Sequence, residues 1–190
     1  LALRSADDGL NVAGGSSADD SGQGGGGMSA DTSLQLWVNG GDLTVWSSGD
    51  GLDSNGYATI TGGTITVNGP TSDGNAALDV NGTLEVSGGT LVALGSAAMA
   101  EAPETDSSQA WLAATLDTTG AAGSTITITD SEGTVVLEHV ADKDFASVVF
   151  SSDEVEAGAP YTVSVDVTEV ATVTAGEAPA GGMGTGPMGG

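Results

Sequence analysis

The sequence predicts an all-β chain: a right-handed parallel β-helix of about three coils, a small antiparallel β unit, and a flexible glycine-rich tail. Three observations predict it. A glycine pair recurs at Gly40-Gly41, Gly62-Gly63 and Gly88-Gly89. Each pair precedes a short run with apolar residues at alternate positions, the period of a strand and not of a helix. Between the pairs lie acidic turns built around a leucine: "SADDGLNVAGG" at 5–15, "SSGDGLDSNG" at 47–56 and "SDGNAALDVNG" at 72–82. A repeat in the low to mid twenties with several short strands suits one coil of a solenoid.

Residues 1–100 carry the coils. Their inward positions are Leu34, Leu36, Val38, Leu43, Val45, Ile65, Val67, Leu84 and Val86. The outward ones include Thr44, Thr59, Thr64, Thr66 and Thr83. Stacking places equivalent residues roughly 4.8 Å apart, a spacing that suits β-branched threonine. The glycine pairs sit where a strand turns a corner and the backbone needs a positive φ. Residues 14–31, "GGSSADDSGQGGGGMSAD", read as a long loop leaving the first coil, mobile unless a ligand orders it. The chain begins at Leu1 without a methionine, so it reads as a fragment or processed product with coils missing upstream.

Residues 101–109, "EAPETDSSQ", read as a linker. From 110 to 175 come strand-like runs at 111–116, 125–129, 134–139, 147–150, 161–167 and 170–174, with "DSEG" at 130–133 as a hairpin turn. This unit is expected to pack on the end of the coils and cover their open edge. Residues 176–190, "GEAPAGGMGTGPMGG", cannot bury a core and read as a disordered tail.

The 190 residues carry a net charge of −24, with Arg4 and Lys143 as the only Lys or Arg and His139 as the lone histidine. That balance argues against nucleic acid and anionic membranes, both of which are bound through cationic side chains. The absence of cysteine excludes disulfides and thiolate metal sites. No apolar run approaches the 18 or so residues of a membrane span, so no membrane insertion is expected.

Registered on Leu10, Leu52 and Leu78, the turns bring like carboxylates together. Two charges about 5 Å apart at an effective dielectric near 20 repel by roughly 3 kcal/mol. The bland reading is ordinary turn-forming Asp, Asn and Gly with solvated acids. The sharper one is a shared cation. Calcium takes six to eight oxygens from carboxylates, amides and carbonyls, and the turns supply all three. The candidate ligands are Asp7, Asp8, Asn11, Asp50, Asp53, Asn55, Asp73, Asn75 and Asp79. Magnesium demands a stricter octahedron, and zinc or copper would want histidine or thiolate.

Trp37 and Trp46 alternate outward in "LQLWVN" and "LTVWSS". Two exposed indoles with Gln35 and Asn39 beside them would make a platform for a sugar face. Burial of both indoles under neighbouring segments is the competing reading. Trp111 opens a strand and reads as core.

The motifs "DGLDSNG" at 50–56, "ITGGTITVNGP" at 60–70, "ALDVNG" at 77–82, "VSGGTLVALGS" at 86–96 and "DFASVVFSS" at 144–152 resemble a bacterial carbohydrate-binding domain family. That family is typified by a clostridial cellulose-binding protein. The resemblance implies a secreted or surface-attached right-handed parallel β-helix, similar in fold to pectate lyases, that binds calcium and cell-wall polysaccharides such as cellulose or polygalacturonate. It leads us to expect a calcium-dependent, non-catalytic polysaccharide-binding module, extracellular or at the cell surface. The alternatives are a calcium-stabilised adhesin or filament subunit, self-associating through an open coil edge, and a polysaccharide lyase. β-Elimination in the lyases it resembles uses an Arg or Lys base beside calcium, and only Arg4 and Lys143 are available here.

Overall fold

The computed structural model describes residues 1–14 and 30–179. The fold is all-β, with no helix among the described residues. The strands are β1 (Ala2–Arg4), β2 (Leu10–Val12), β3 (Gln35–Val38), β4 (Asp42–Trp46), β5 (Leu52–Ser54), β6 (Tyr57–Ile60), β7 (Thr64–Asn68), β8 (Leu78–Val80), β9 (Leu84–Val86) and β10 (Thr90–Gly95). They continue as β11 (Trp111–Gly120), β12 (Thr125–Asp130), β13 (Val135–Val140), β14 (Phe145–Ser151), β15 (Pro160–Val165) and β16 (Thr168–Thr174).

Four sheets result. Strands β2-β5-β8 and β3-β6-β9 form two three-stranded sheets, and β13-β12-β15-β16 a four-stranded one. The largest has the order β1-β4-β7-β10-β14-β11. Through β10, every third strand pairs in parallel with its predecessor. The leucines set the register, because apolar side chains at one position must meet on one face. Leu10 pairs with Leu52 and Leu52 with Leu78. Leu43, Ile65 and Leu91 align in the same way, as do Val45, Val67 and Ala93.

Glycine closes the corners. Gly41, Gly63 and Gly89 have φ of 82°, 100° and 87°, a conformation that costs L side chains dearly. Gly51 serves differently: a Cβ there would collide with the Ala77 carbonyl and the Val67 side chain of the next turn. The alternating segments thus stack at a spacing that only a missing side chain permits.

Strands β10, β14 and β11 of the six-stranded sheet are buried on both faces over most of their length. Leu91, Ala93, Trp111, Ala113 and Val149 face a core shared with β4 to β9. Val92, Leu94, Leu112, Ala114, Val148 and Phe150 face a second core, against Ile126, Ile128, Tyr161 and Val163 of the four-stranded sheet. Two-sided burial explains the unbroken apolar run "LVAL" at 91–94.

Every pairing made by β11 to β16 is antiparallel, but these strands do not form one sheet. Strands β14 and β11 extend the largest sheet, β14 pairing antiparallel with β10 from Leu91↔Ser151 to Gly95↔Ser147. The free edge of β10 takes the strand that meets its unpaired backbone groups. Nor do residues 101–109 merely link. They line the edges of β8 and β9: Val80 N–H donates to Glu101, Glu104 N–H to Leu84 O, Val86 N–H to Ser107 Oγ and Gln109 N–H to Val86 O. The loop assigned to 14–31 and the tail assigned to 176–190 lie largely outside the described residues.

A cross-link joins the two parts of the chain. Lys143, between β13 and β14, donates from Nζ to the carbonyls of Ser47 and Gly69, one corner after β4 and the other after β7. Burial pulls its pKa below the ordinary lysine range. Lys143→Met is expected to cost about 2 kcal/mol, because hydrogen bonds from a charged donor are worth ~1.5–3 kcal/mol and desolvation of the ammonium is relieved. Urea denaturation at pH 7 checks this, and an unchanged midpoint would make the contact incidental.

Candidate metal centre

The three-stranded sheet β2-β5-β8 turns its leucines inward and its next residues outward. Asn11, Asp53 and Asp79 therefore form one rung, in direct register. The turn before each strand adds further oxygens. Asp8 Oδ1 accepts the Asp50 N–H at 2.9 Å, and its Oδ2 accepts the Asn11 amide at 2.6 Å. Asp50 Oδ1 in turn accepts the Ala76 N–H at 2.6 Å. Each aspartate thus ties its own turn to the next one down the stack.

This geometry gathers Asp8, Asp50 and Asp53. One carboxylate oxygen from each lies within 4.8 Å of the other two. Calcium binds oxygen at about 2.4 Å, so oxygens on one coordination sphere lie up to ~4.8 Å apart. The triad could hold a hard cation with all-oxygen ligands.

The electrostatics agree with that geometry. Asp53 is pushed up to about 6, first by burial and then by the charges of Asp79, Asp8 and Asp50, with the Asn11 hydrogen bond opposing. Burial also raises Asp50, and the charges of Asp79 and Asp8 add to it while the Ala76 N–H bond pulls the other way. Asp79 rises through burial and the charge of Asp8. No guanidinium or ammonium relieves these groups. Arg4 lies over the Trp46 ring, 3.8 Å from its centroid, and Lys143 is bonded to the two corner carbonyls.

The column has a fifth member that composition concealed. Glu101 is pushed up to about 8, chiefly by burial, with further upward push from Asp79, Glu104 and Asp50. Its Oε2 accepts the Val80 N–H at 2.9 Å, which opposes the rise. Within "EAPE" it reads as linker. Its only signal is its place shortly after β10, where it meets an N–H group at the unpaired edge of β8.

The remaining predicted ligands lie apart from the triad. Asp7 is exposed and contributes its carbonyl to Gly49 N–H. Asn55 is exposed and accepts from the Asn81 amide at 3.3 Å. Asp73 is exposed and lines a separate hollow with Asp144. Asn75 offers its carbonyl to Ser96 Oγ. The third turn is longer between Asp73 and Leu78 than its relatives, so Asp73 cannot take the place of Asp8 or Asp50.

The aromatic platform is corrected too. Trp37 is 54% exposed on β3, between the exposed Gln35 and Asn39. Trp46 belongs to a different sheet, because the corner at Gly40-Gly41 turns the chain between β3 and β4. Its ring carries Arg4, and its Nε1 donates to Asp142 at 2.9 Å. Across β3-β6, Trp37 pairs with Thr59, and Gln35 with Tyr57. Asn39 Oδ1 accepts from Thr61 Oγ1 at 2.9 Å on the same side.

No family model, curated protein or solved structure matches the chain. The resemblance set out above rests on the quoted motifs.

Proposed function

We propose that this chain is a calcium-dependent polysaccharide-binding module of a secreted or cell-surface bacterial protein, built as a right-handed parallel β-helix. The recurrence of every third strand in three parallel ladders supports the helix, and crossovers between parallel strands of one sheet are almost always right-handed. The observation that carries calcium dependence is the convergence of Asp8, Asp50 and Asp53 without a basic partner. Trp37 supports the glycan reading. A large exposed indole on a sheet face with polar neighbours suits the apolar face of a sugar ring, with Gln35 and Asn39 beside it for the hydroxyls. Cellulose- and polygalacturonate-like polymers remain the candidate partners, as the motif resemblance implies.

The binding reading is non-catalytic. The two cations that β-elimination would draw on stand together beside Trp46 rather than at the acidic column. No ultraviolet-absorbing unsaturated uronate is expected from incubation with polygalacturonate.

Retention on insoluble cellulose and on polygalacturonate, with calcium and with EDTA, tests the function. Trp37→Ala is expected to weaken retention at least tenfold, about 1.4 kcal/mol, with an unchanged melting temperature because the indole is exposed. No retention of the unmodified chain in either condition would overturn the proposal. One observation favours a second reading, an adhesin or filament subunit. Strands β1, β2 and β3 each end their sheet, so three unpaired edges stand together among the described residues. Concentration-dependent assembly without glycan, followed by sedimentation, would favour it.

A further inference from the structure

Both of the chain's Lys and Arg side chains converge on one place. An open hollow of about 430 Å³ lies between the corner after β4 and the turn joining β13 to β14, lined by Arg4, Trp46, Ser47, Ser48, Asp142 and Lys143 among others. In a chain with 26 acidic residues, neither cation is ion-paired with a carboxylate among the described residues. The Arg4 guanidinium lies over the Trp46 indole, and no hydrogen bond occupies its donors among the described residues. Lys143 uses two of its three donors on the Ser47 and Gly69 carbonyls. Behind the wall, Ser47 is buried and its hydroxyl has no hydrogen-bond partner among the described residues.

We propose that this hollow binds a small singly charged carboxylate with a hydroxylated body. The charge count selects the valence. Arg4 and Lys143 against Asp142 leave one net positive charge, so a monoanion neutralises the site. A dianion such as sulfate or hydrogen phosphate would add charge to a protein already at −24. The guanidinium fork matches the two oxygens of a carboxylate, and stacking on Trp46 holds that fork in place before the ligand arrives. The exposed Ser48 hydroxyl suits a body bearing hydroxyl groups. The volume falls within the range of small-molecule sites. The site is distinct from the acidic column and from the Trp37 face, and it needs no metal.

Calorimetry on the full chain, in EDTA so that calcium bridging contributes nothing, tests the assignment with glucuronate, glucose and sulfate. Glucuronate is expected to bind, and glucose, its uncharged counterpart, to bind at least tenfold more weakly. The indole N–H resonance of Trp46 is expected to shift with glucuronate. Arg4→Ala should weaken glucuronate at least tenfold, as should Arg4→Gln, which retains the stem over the indole. A uronate trimer distinguishes the source: affinity equal to the monomer's means an acid within a chain is accepted, and loss of affinity means that only the free acid fits. Equal binding of glucuronate and glucose, tighter binding of sulfate, or indifference to both Arg4 variants would overturn the proposal. Failure here in EDTA leaves calcium-dependent retention on polymers to be judged on its own.

Discussion

Replacing Glu101 with glutamine is expected to stabilise the metal-free protein by roughly 2–5 kcal/mol at pH 8. The carboxyl is held among other acids, with its Oε2 on the Val80 N–H. Glutamine keeps an oxygen for that bond and cannot ionise. The folded chain holds the Glu101 proton up to about 8, against 4.5 for an unperturbed glutamate. A folded value above the unfolded one means that its favourable contribution is complete below about pH 4.5. It is lost progressively as pH rises through 8. At about 1.4 kcal/mol per pH unit the gap sets an upper limit near 5 kcal/mol. Asp53 acts in the same direction between 3.8 and about 6. The unmodified protein in EDTA should therefore lose stability steadily from pH 5 to pH 8, and Glu101→Gln should flatten the upper part of that slope. Urea denaturation across this range reads both. Parallel curves for the two proteins would mean that the Glu101 carboxylate finds as good an environment folded as unfolded.

The sequence made some of this arrangement readable, and the division has a physical origin. Leu10, Leu52 and Leu78 announce their register because burial of one face fixes strand pairing to the residue. Gly41, Gly63 and Gly89 announce the corners because few other residues tolerate their backbone. From those two signals the rung Asn11–Asp53–Asp79 follows, and so does the approach of Asp8 to Asp50. Alternation, however, says only that a side chain points outward. It does not say from which sheet, so Trp37 and Trp46 looked like neighbours although a corner separates them. Edge pairing is hidden for a related reason. The partner of β10 is β14, some fifty residues on, and nothing local in "FASVVFS" names it. Glu101 and Ser107 satisfy N–H groups of β8 and β9, yet acids and serines in a proline-containing stretch look like any solvated linker.

Calcium is expected to raise the melting temperature at pH 8 by about 5–15 °C over EDTA. At 100 to 1,000 times its dissociation constant, an ion bound only to the folded state contributes ~2.7–4.1 kcal/mol, and each kcal/mol moves a domain of this size by about 2–4 °C. The gain should shrink toward pH 5, where protons compete for the same oxygens, because Asp53 titrates near 6 and burial holds Asp50 and Asp79 up as well. Binding at pH 6 to 7 should therefore release protons, which calorimetry in two buffers of different ionisation enthalpy measures. Asp53→Asn separates the ion from the fold. In EDTA at pH 8 it removes a carboxylate that burial and three neighbouring charges disfavour, so the variant should melt higher than the unmodified chain. In calcium it lacks one of the three converging oxygens that carry charge, so it should gain little and melt lower. A reversal of sign between the two conditions is what a shared cation requires, and a merely crowded set of turns would give the same sign in both. Asp73→Asn, apart from the triad on the exposed turn, should leave the calcium response unchanged. Equal melting temperatures in calcium and EDTA would return Asp8, Asp50 and Asp53 to the status of solvated turn residues.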